Sequence, residues 1–132
     1  MKIKFKSTKT ENYENKDPFI FDFVSRLEKE IEDGYISLTF EENRNGKKIT
    51  NRIEYNDVDL RIYSGVTSLT CKLNEIVKNT LEVDGISNVF FIYTKMIESH
   101  ISDSSLDFKY LISHDDKFEK FTSIHLELEI FE

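Results

Sequence analysis

YISLTFEENRNGKKITNRIEY, residues 35–55, is the stretch that predicts the fold most directly. Its Asn-Gly pair at 45–46 is a strong signal for a two-residue hairpin turn, because both residue types tolerate positive φ. With the turn placed there, Leu38 lies opposite Ile53, and the other apolar positions also match without adjustment. The stretch therefore predicts an antiparallel hairpin with one buried face.

Alternating apolar and polar residues predict further strands on both sides of this hairpin. These strands fall at residues 2–7, 58–63, 88–96, 106–112 and 124–130. Lysines occupy the outward positions of the first strand, whereas Glu127 and Glu129 occupy those of the last. Because opposite charges stabilise cross-strand pairs, we expect the two terminal strands to be neighbours.

A different spacing precedes the hairpin. Large apolar residues recur there every four positions, at Phe19, Phe23, Leu27 and Ile31. Asp17 is suited to cap a helix and Pro18 to begin one. This pattern predicts a helix at about 18–33, ended by Asp33-Gly34.

The segment from Val66 to Glu82 allows two interpretations. Most of its apolar residues follow helical spacing, which predicts a helix at about 67–82. Its first five residues have strand composition, so the alternative is a short strand followed by a helix capped by Asn74. With either interpretation, residues 1–132 are expected to form a single α+β domain. In this domain a mostly antiparallel sheet of six or seven strands packs against two helices.

Composition excludes several classes of protein. The 132 residues carry 18 basic and 25 acidic side chains, a formal charge of −7. This balance argues against direct binding to nucleic acid or to an anionic membrane. Cys71 is the single cysteine, so no intrachain disulfide forms, and the charged N-terminal residues do not resemble a signal peptide. We therefore expect a cytoplasmic protein.

The sequence contains no motif that predicts catalysis. No nucleophile signature surrounds Cys71, which we expect to be a buried thiol, and the three histidines lie far apart. No glycine-rich loop precedes a helix, so the sequence predicts no cofactor. No metal site is predicted either, because the histidines lie far apart and there is no second cysteine. One alternative is a metal-dependent nuclease-like enzyme that uses the acid-x-Lys pair of Asp107 and Lys109, with Asp84 as a second acid.

The negative charge is confined to one part of the chain. Residues 1–52 carry 11 basic and 10 acidic side chains, whereas residues 53–132 carry 7 and 15. Such a field steers a protein toward a basic partner. The residues predicted to form this acidic surface are Asp103, Asp107, Asp115, Asp116, Glu119, Glu127 and Glu129.

These observations favour a small, non-enzymatic inhibitor that binds a basic nuclease or another nucleic-acid effector. The absence of Ala and Trp and the abundance of Ile, Lys and Asn are typical of AT-rich mobile genes. Two settings fit: a phage anti-defence protein such as an anti-CRISPR, or an immunity protein for a toxin. A further alternative is an assembly protein that adds strands to a neighbour, and we expect a monomer or a small homo-oligomer.

Overall fold

The computed structural model describes residues 1–82 and 89–132, and it is built from β-strands. Within these residues no helix occurs, so none is long and apolar enough to span a membrane. The prediction of an α+β fold with six or seven strands is therefore wrong. The ten strands are β1 (Lys2–Glu11), β2 (Phe19–Glu32), β3 (Tyr35–Arg44), β4 (Lys47–Tyr55), β5 (Asp59–Ser64), β6 (Thr67–Lys72), β7 (Ile76–Glu82), β8 (Val89–Ile101), β9 (Ser105–Ser113) and β10 (Thr122–Phe131).

The strands form one antiparallel sheet in the order β6-β5-β4-β3-β2-β1-β10-β9-β8-β7. Its two end strands lie next to each other, so the sheet curls into a nearly closed barrel. The predicted hairpin register is confirmed, with Leu38 opposite Ile53. The predicted pairing of the terminal strands is also confirmed, with Lys4 opposite Glu129.

The predicted helix at 18–33 is instead strand β2. A spacing of four residues is also a multiple of two, so Phe19, Phe23 and Leu27 share one face of a strand just as they would share one face of a helix. The Asp33-Gly34 pair does not end a helix. Its φ angles of 52° and 80° make it a hairpin turn, and it joins β2 to β3.

The predicted helix at 67–82 is also wrong, because β6 and β7 occupy these residues. The strand favoured by composition at the start of the segment is present. Asn74 does not cap a helix but lies at φ 59° in the tight turn between the two strands. The predicted break at Asp84-Gly85 lies outside the described residues.

One half of the barrel interior is filled by side chains. This half lies toward the β2–β3 turn, and its side chains are almost fully shielded from solvent. Tyr55 of β4 meets Phe108 of β9 across the interior, with ring centroids 5.7 Å apart. The other buried residues of this half are Ile3, Leu38, Leu60, Leu106 and Leu128. The opposite half is not filled in this way, and it contains the candidate site.

Candidate ligand-binding site

A cavity of about 400 Å³ occupies the half of the barrel opposite the β2–β3 turn. Side chains alternate across each strand, so every second residue of a barrel strand faces the interior. Apolar side chains form most of the wall, namely Phe5, Phe19, Phe21, Phe40, Ile53, Ile62, Tyr110, Ile124 and Leu126. The polar lining residues are Ser7, Lys9, Glu42, Arg44, Asn51 and Ser64. This composition suits a small molecule with a mainly apolar body.

Aromatic rings from three neighbouring strands pack together at this wall: Phe5 and Phe40 line the cavity, and Phe23, which is not part of the lining, packs against both. The rings of Phe5 and Phe23 stack with centroids 5.0 Å apart. Phe40 lies 5.7 Å from Phe5 and 5.9 Å from Phe23. Because offset and tilted aromatic contacts are favourable beyond their buried area, these rings hold one another in place. A ligand therefore meets a preformed aromatic surface on this side.

Glu42 is the most unusual residue of the cavity, because its carboxylate is only 6% exposed. It lies on the inward face of β3, two residues beyond Phe40. Its Oε1 accepts hydrogen bonds from Asn51 Nδ2 and Arg44 Nη2, both at 2.9 Å. Its Oε2 is buried and has no hydrogen-bond partner among the described residues. A buried acceptor left unpaired is costly, so it calls for a donor from a ligand, from water or from another group.

Arg44 and Tyr110 set the electrostatics around this carboxylate. Arg44 is about half exposed at the cavity mouth, and its guanidinium compensates the charge of Glu42. Burial raises the pKa of the Tyr110 phenol well above its ordinary value, so its hydroxyl remains protonated at neutral pH. The lining thus combines an apolar wall with one buried carboxylate that Arg44 compensates.

A gap in the sheet lies beside Glu42. Strand β2 pairs with β1 through residues 19–26 but with β3 only through residues 27–32. Among the described residues, no ladder joins residues 19–26 of β2 to residues 41–44 of β3. Glu42 lines both the central cavity and this gap. Glu42 therefore lies between the cavity and this gap.

The structure does not bring the seven predicted acidic residues together. Asp107, Glu127 and Glu129 lie on the outer face of β9 and β10, and two of them face lysines across the strand pair β1–β10. Asp103 lies in the β8–β9 turn. The remaining residues, Asp115, Asp116 and Glu119, lie in the β9–β10 loop at the cavity end, separated from Asp103 by the roughly 27 Å length of β9.

The residues considered for catalysis are otherwise engaged. Asp107 Oδ1 lies 2.8 Å from His125 Nε2, and Lys109 Nζ lies 3.3 Å from Glu98 Oε2, all on the outer face of the sheet. The second acid of the nuclease alternative, Asp84, lies outside the described residues. Within residues 1–82 and 89–132, no group of three or more His, Cys, Asp or Glu side chains is arranged to hold a metal.

The prediction for Cys71 is confirmed, because its side chain is fully buried on β6. Burial raises the pKa of its thiol to about 12. The thiolate is the reactive form of cysteine, so this residue is chemically inert at neutral pH. Cys71 is part of the core and not of the cavity.

Neither Glu42 nor the cavity was predicted from the sequence, although the hairpin register indicated the position of Glu42. The hairpin register that placed Leu38 and Phe40 on the buried face also places Glu42 there. An acidic residue on an otherwise apolar face is the kind of departure from pattern that marks a functional position. The width of the cavity itself depends on side chains from distant strands and has no local signal.

Comparison with known proteins shows a similar fold but no family. No protein-family model and no curated protein match this sequence. Among solved structures, the chain is similar to the crystal structure of the ywiB protein from Bacillus subtilis, with a TM-score of 0.70 and 7% identity. The similarity covers 99% of this chain and 91% of that one. At this identity it shows the fold alone.

Proposed function

We propose that this chain is a non-enzymatic binding protein that holds a small, mainly apolar ligand in the open half of its barrel. The observation that supports the proposal is the aromatic-walled cavity of about 400 Å³, within the size range of small-molecule sites. An eight-stranded barrel is just wide enough to be filled by side chains or to hold one small ligand, and this barrel has ten strands. The packed half supplies stability, so the open half is free to bind.

A neutral fluorescent probe, N-phenyl-1-naphthylamine, tests this proposal. We expect saturable binding, with fluorescence enhancement as the probe leaves water. Ser7→Phe places a ring inside the cavity and should weaken binding at least tenfold, because the added volume displaces the probe. Ser123→Phe makes the same change on the outer face of β10 and is the matched control. Equal binding by the two variants, with both folded by circular dichroism, would contradict the proposal.

The acidic inhibitor inferred from the sequence is a second candidate, supported by one observation. The β9–β10 loop that carries Asp115, Asp116 and Glu119 is anchored at both ends. Asn12 Nδ2 donates to the Glu119 carbonyl at 3.0 Å, and Ser113 Oγ donates to the Lys120 carbonyl at 3.0 Å. The loop therefore presents its acids in a defined arrangement, which suits a basic protein partner such as a nuclease in the cytoplasm.

Neutralising this loop tests the second candidate. The triple variant Asp115→Asn, Asp116→Asn, Glu119→Gln is expected to lose a stoichiometric basic partner that the wild-type protein captures from a bacterial lysate at low salt. Asp103→Asn, at the other end of the barrel, is the control. Charge-mediated association weakens steeply when such residues are removed or the salt concentration is raised. Capture that is unchanged in the triple variant would remove this candidate.

A further inference from the structure

Within the part of the chain that the structure describes, the Oε2 atom of Glu42 is a buried acceptor of the cavity without a hydrogen-bond partner. We propose that the Glu42 carboxylate selects the ligand, and that the ligand carries a neutral hydrogen-bond donor, a hydroxyl or an N–H, at one end of an aromatic or alkyl body. This inference rests on the proposed ligand-binding function. It adds the chemical class of the ligand and the orientation in which it is held.

The two oxygens of Glu42 are in different positions with respect to hydrogen bonding. Oε1 is held by Asn51 and Arg44, which also fixes the plane of the carboxylate. Oε2 is buried in the same cavity wall without a partner among the described residues. An ionised carboxylate oxygen only accepts hydrogen bonds, so the ligand group that completes it must be a donor.

The surrounding charges indicate that this donor is neutral. Arg44 already compensates Glu42, and Lys9 adds a second positive side chain to the cavity lining. A cationic ligand would therefore meet a net positive environment. A ligand carboxylate would bring its charge next to Oε2 in a poorly solvated site, which is strongly unfavourable. A hydroxyl or a neutral N–H avoids both costs and gains a charge-assisted hydrogen bond.

The position of Glu42 gives the orientation. Phe5, Phe21 and Phe40 line the cavity next to the carboxylate and provide the surface for the apolar body. Glu42 itself borders the gap between β2 and β3. The ligand is thus held with its apolar body against the phenylalanine rings and its donor directed toward β3.

Three probes of almost equal size test the inference: naphthalene, 2-naphthol and 2-methoxynaphthalene. They differ in having no polar group, a donor, and an acceptor only. We expect the wild-type protein to bind 2-naphthol at least tenfold more tightly than 2-methoxynaphthalene, measured by calorimetry. This follows from the strength of hydrogen bonds to charged groups. Comparable affinities for the two would overturn the inference while leaving the ligand-binding function in place, whereas no binding of any probe would contradict that function itself.

Glu42→Gln provides an independent measurement. The amide oxygen of the glutamine is expected to keep the hydrogen bonds from Asn51 and Arg44, which directs its NH2 group to the former position of Oε2. The variant should then lose the preference for 2-naphthol, because the NH2 group donates equally well to a hydroxyl oxygen and to a methoxy oxygen. Glu41→Gln, one residue away on the exposed face of β3, is the control and should keep the wild-type order. A tenfold preference for 2-naphthol that persists in Glu42→Gln would also overturn the inference. If the variant does not fold, the wild-type comparison still decides.

Discussion

Replacing Asn79 by Leu is expected to lower the free energy of unfolding by about 2–5 kcal/mol, because this side chain joins the two ends of the sheet. Asn79 lies on β7 and is 8% exposed. Its Oδ1 accepts from the Thr70 backbone N–H at 2.7 Å, and its Nδ2 donates to the Thr70 carbonyl at 3.1 Å. The carboxamide therefore occupies the place of a peptide group on a neighbouring strand.

Thr94 of β8 extends this connection. Its hydroxyl donates to the Thr70 carbonyl at 2.6 Å and accepts from Asn79 Nδ2 at 3.0 Å. Thr94 is fully buried. Water therefore reaches its hydrogen-bonding groups only if the surrounding side chains move. Loss of the carboxamide leaves the Thr70 N–H without its partner. An unsatisfied buried polar group costs about 1–3 kcal/mol, and the hydrogen bonds that Asn79 Nδ2 donates to the Thr70 carbonyl and the Thr94 hydroxyl contribute about 0.5–1.5 kcal/mol each, which together account for the expected size of the effect.

Urea denaturation measures the change in stability, and amide hydrogen exchange at Thr70 tests its cause. In Asn79→Leu, the Thr70 amide should exchange far faster than the amides of the hairpin β3–β4, because the barrel opens between β6 and β7. The exposed Asn43→Leu is the matched control and should change stability by less than about 0.5 kcal/mol. A Thr70 amide that remains protected in Asn79→Leu would show that the barrel is closed by other contacts.

The strand pairings were predicted correctly where the cross-strand partners could be recognised individually in the sequence. The register of β3 and β4 follows from one turn and from residues within ten positions of it, and it was correct. The pairing of β1 with β10 connects the most distant parts of the chain, yet a row of lysines facing a row of glutamates was sufficient to predict it. Both cases rest on cross-strand partners that are individually recognisable.

The two helix predictions failed for a physical reason that spacing alone does not resolve. In β2 the inward residues are Phe19, Phe21 and Phe23, so a period of two was present beside the period of four. In β6 and β7 the apolar spacing crosses a turn at Asn74, a residue type that tolerates positive φ. Strand β2 ends at the Asp33-Gly34 turn, and the turn at Asn74 separates β6 from β7. Turn chemistry was thus the better guide than apolar spacing.

The candidate site could be predicted only in part. The hairpin register implies that Glu42 lies on the buried face, although this was not predicted, and the register does not show that a cavity lies in front of it. Two of the residues that line that cavity, Ser7 of β1 and Ser64 of β5, have small side chains and leave room in it. These residues are far apart in the sequence. Their combined effect becomes visible only once the barrel is closed.

Phe108→Ala is expected to destabilise the protein by about 3–5 kcal/mol, a large share of the 5–15 kcal/mol that stabilises a typical domain. Phe108 is fully buried on β9, and its ring contacts Tyr55 of β4, so it links opposite walls of the barrel. Phe108 does not line the open cavity, and the close-packed side chains around it relax only partially when the ring is removed. The variant should therefore retain a cavity close to the size of the lost ring.

Two matched variants show whether this cost comes from the packed half specifically. Phe131→Ala removes the same ring from a position that is 41% exposed and should cost less than about 1 kcal/mol. Phe21→Ala removes a ring from the wall of the ligand cavity, where one side already lacks packing partners, and should fall between the two. Chemical denaturation of all three measures the order. If Phe21→Ala proved as costly as Phe108→Ala, the division of the barrel into a packed half that stabilises and an open half that binds would be wrong.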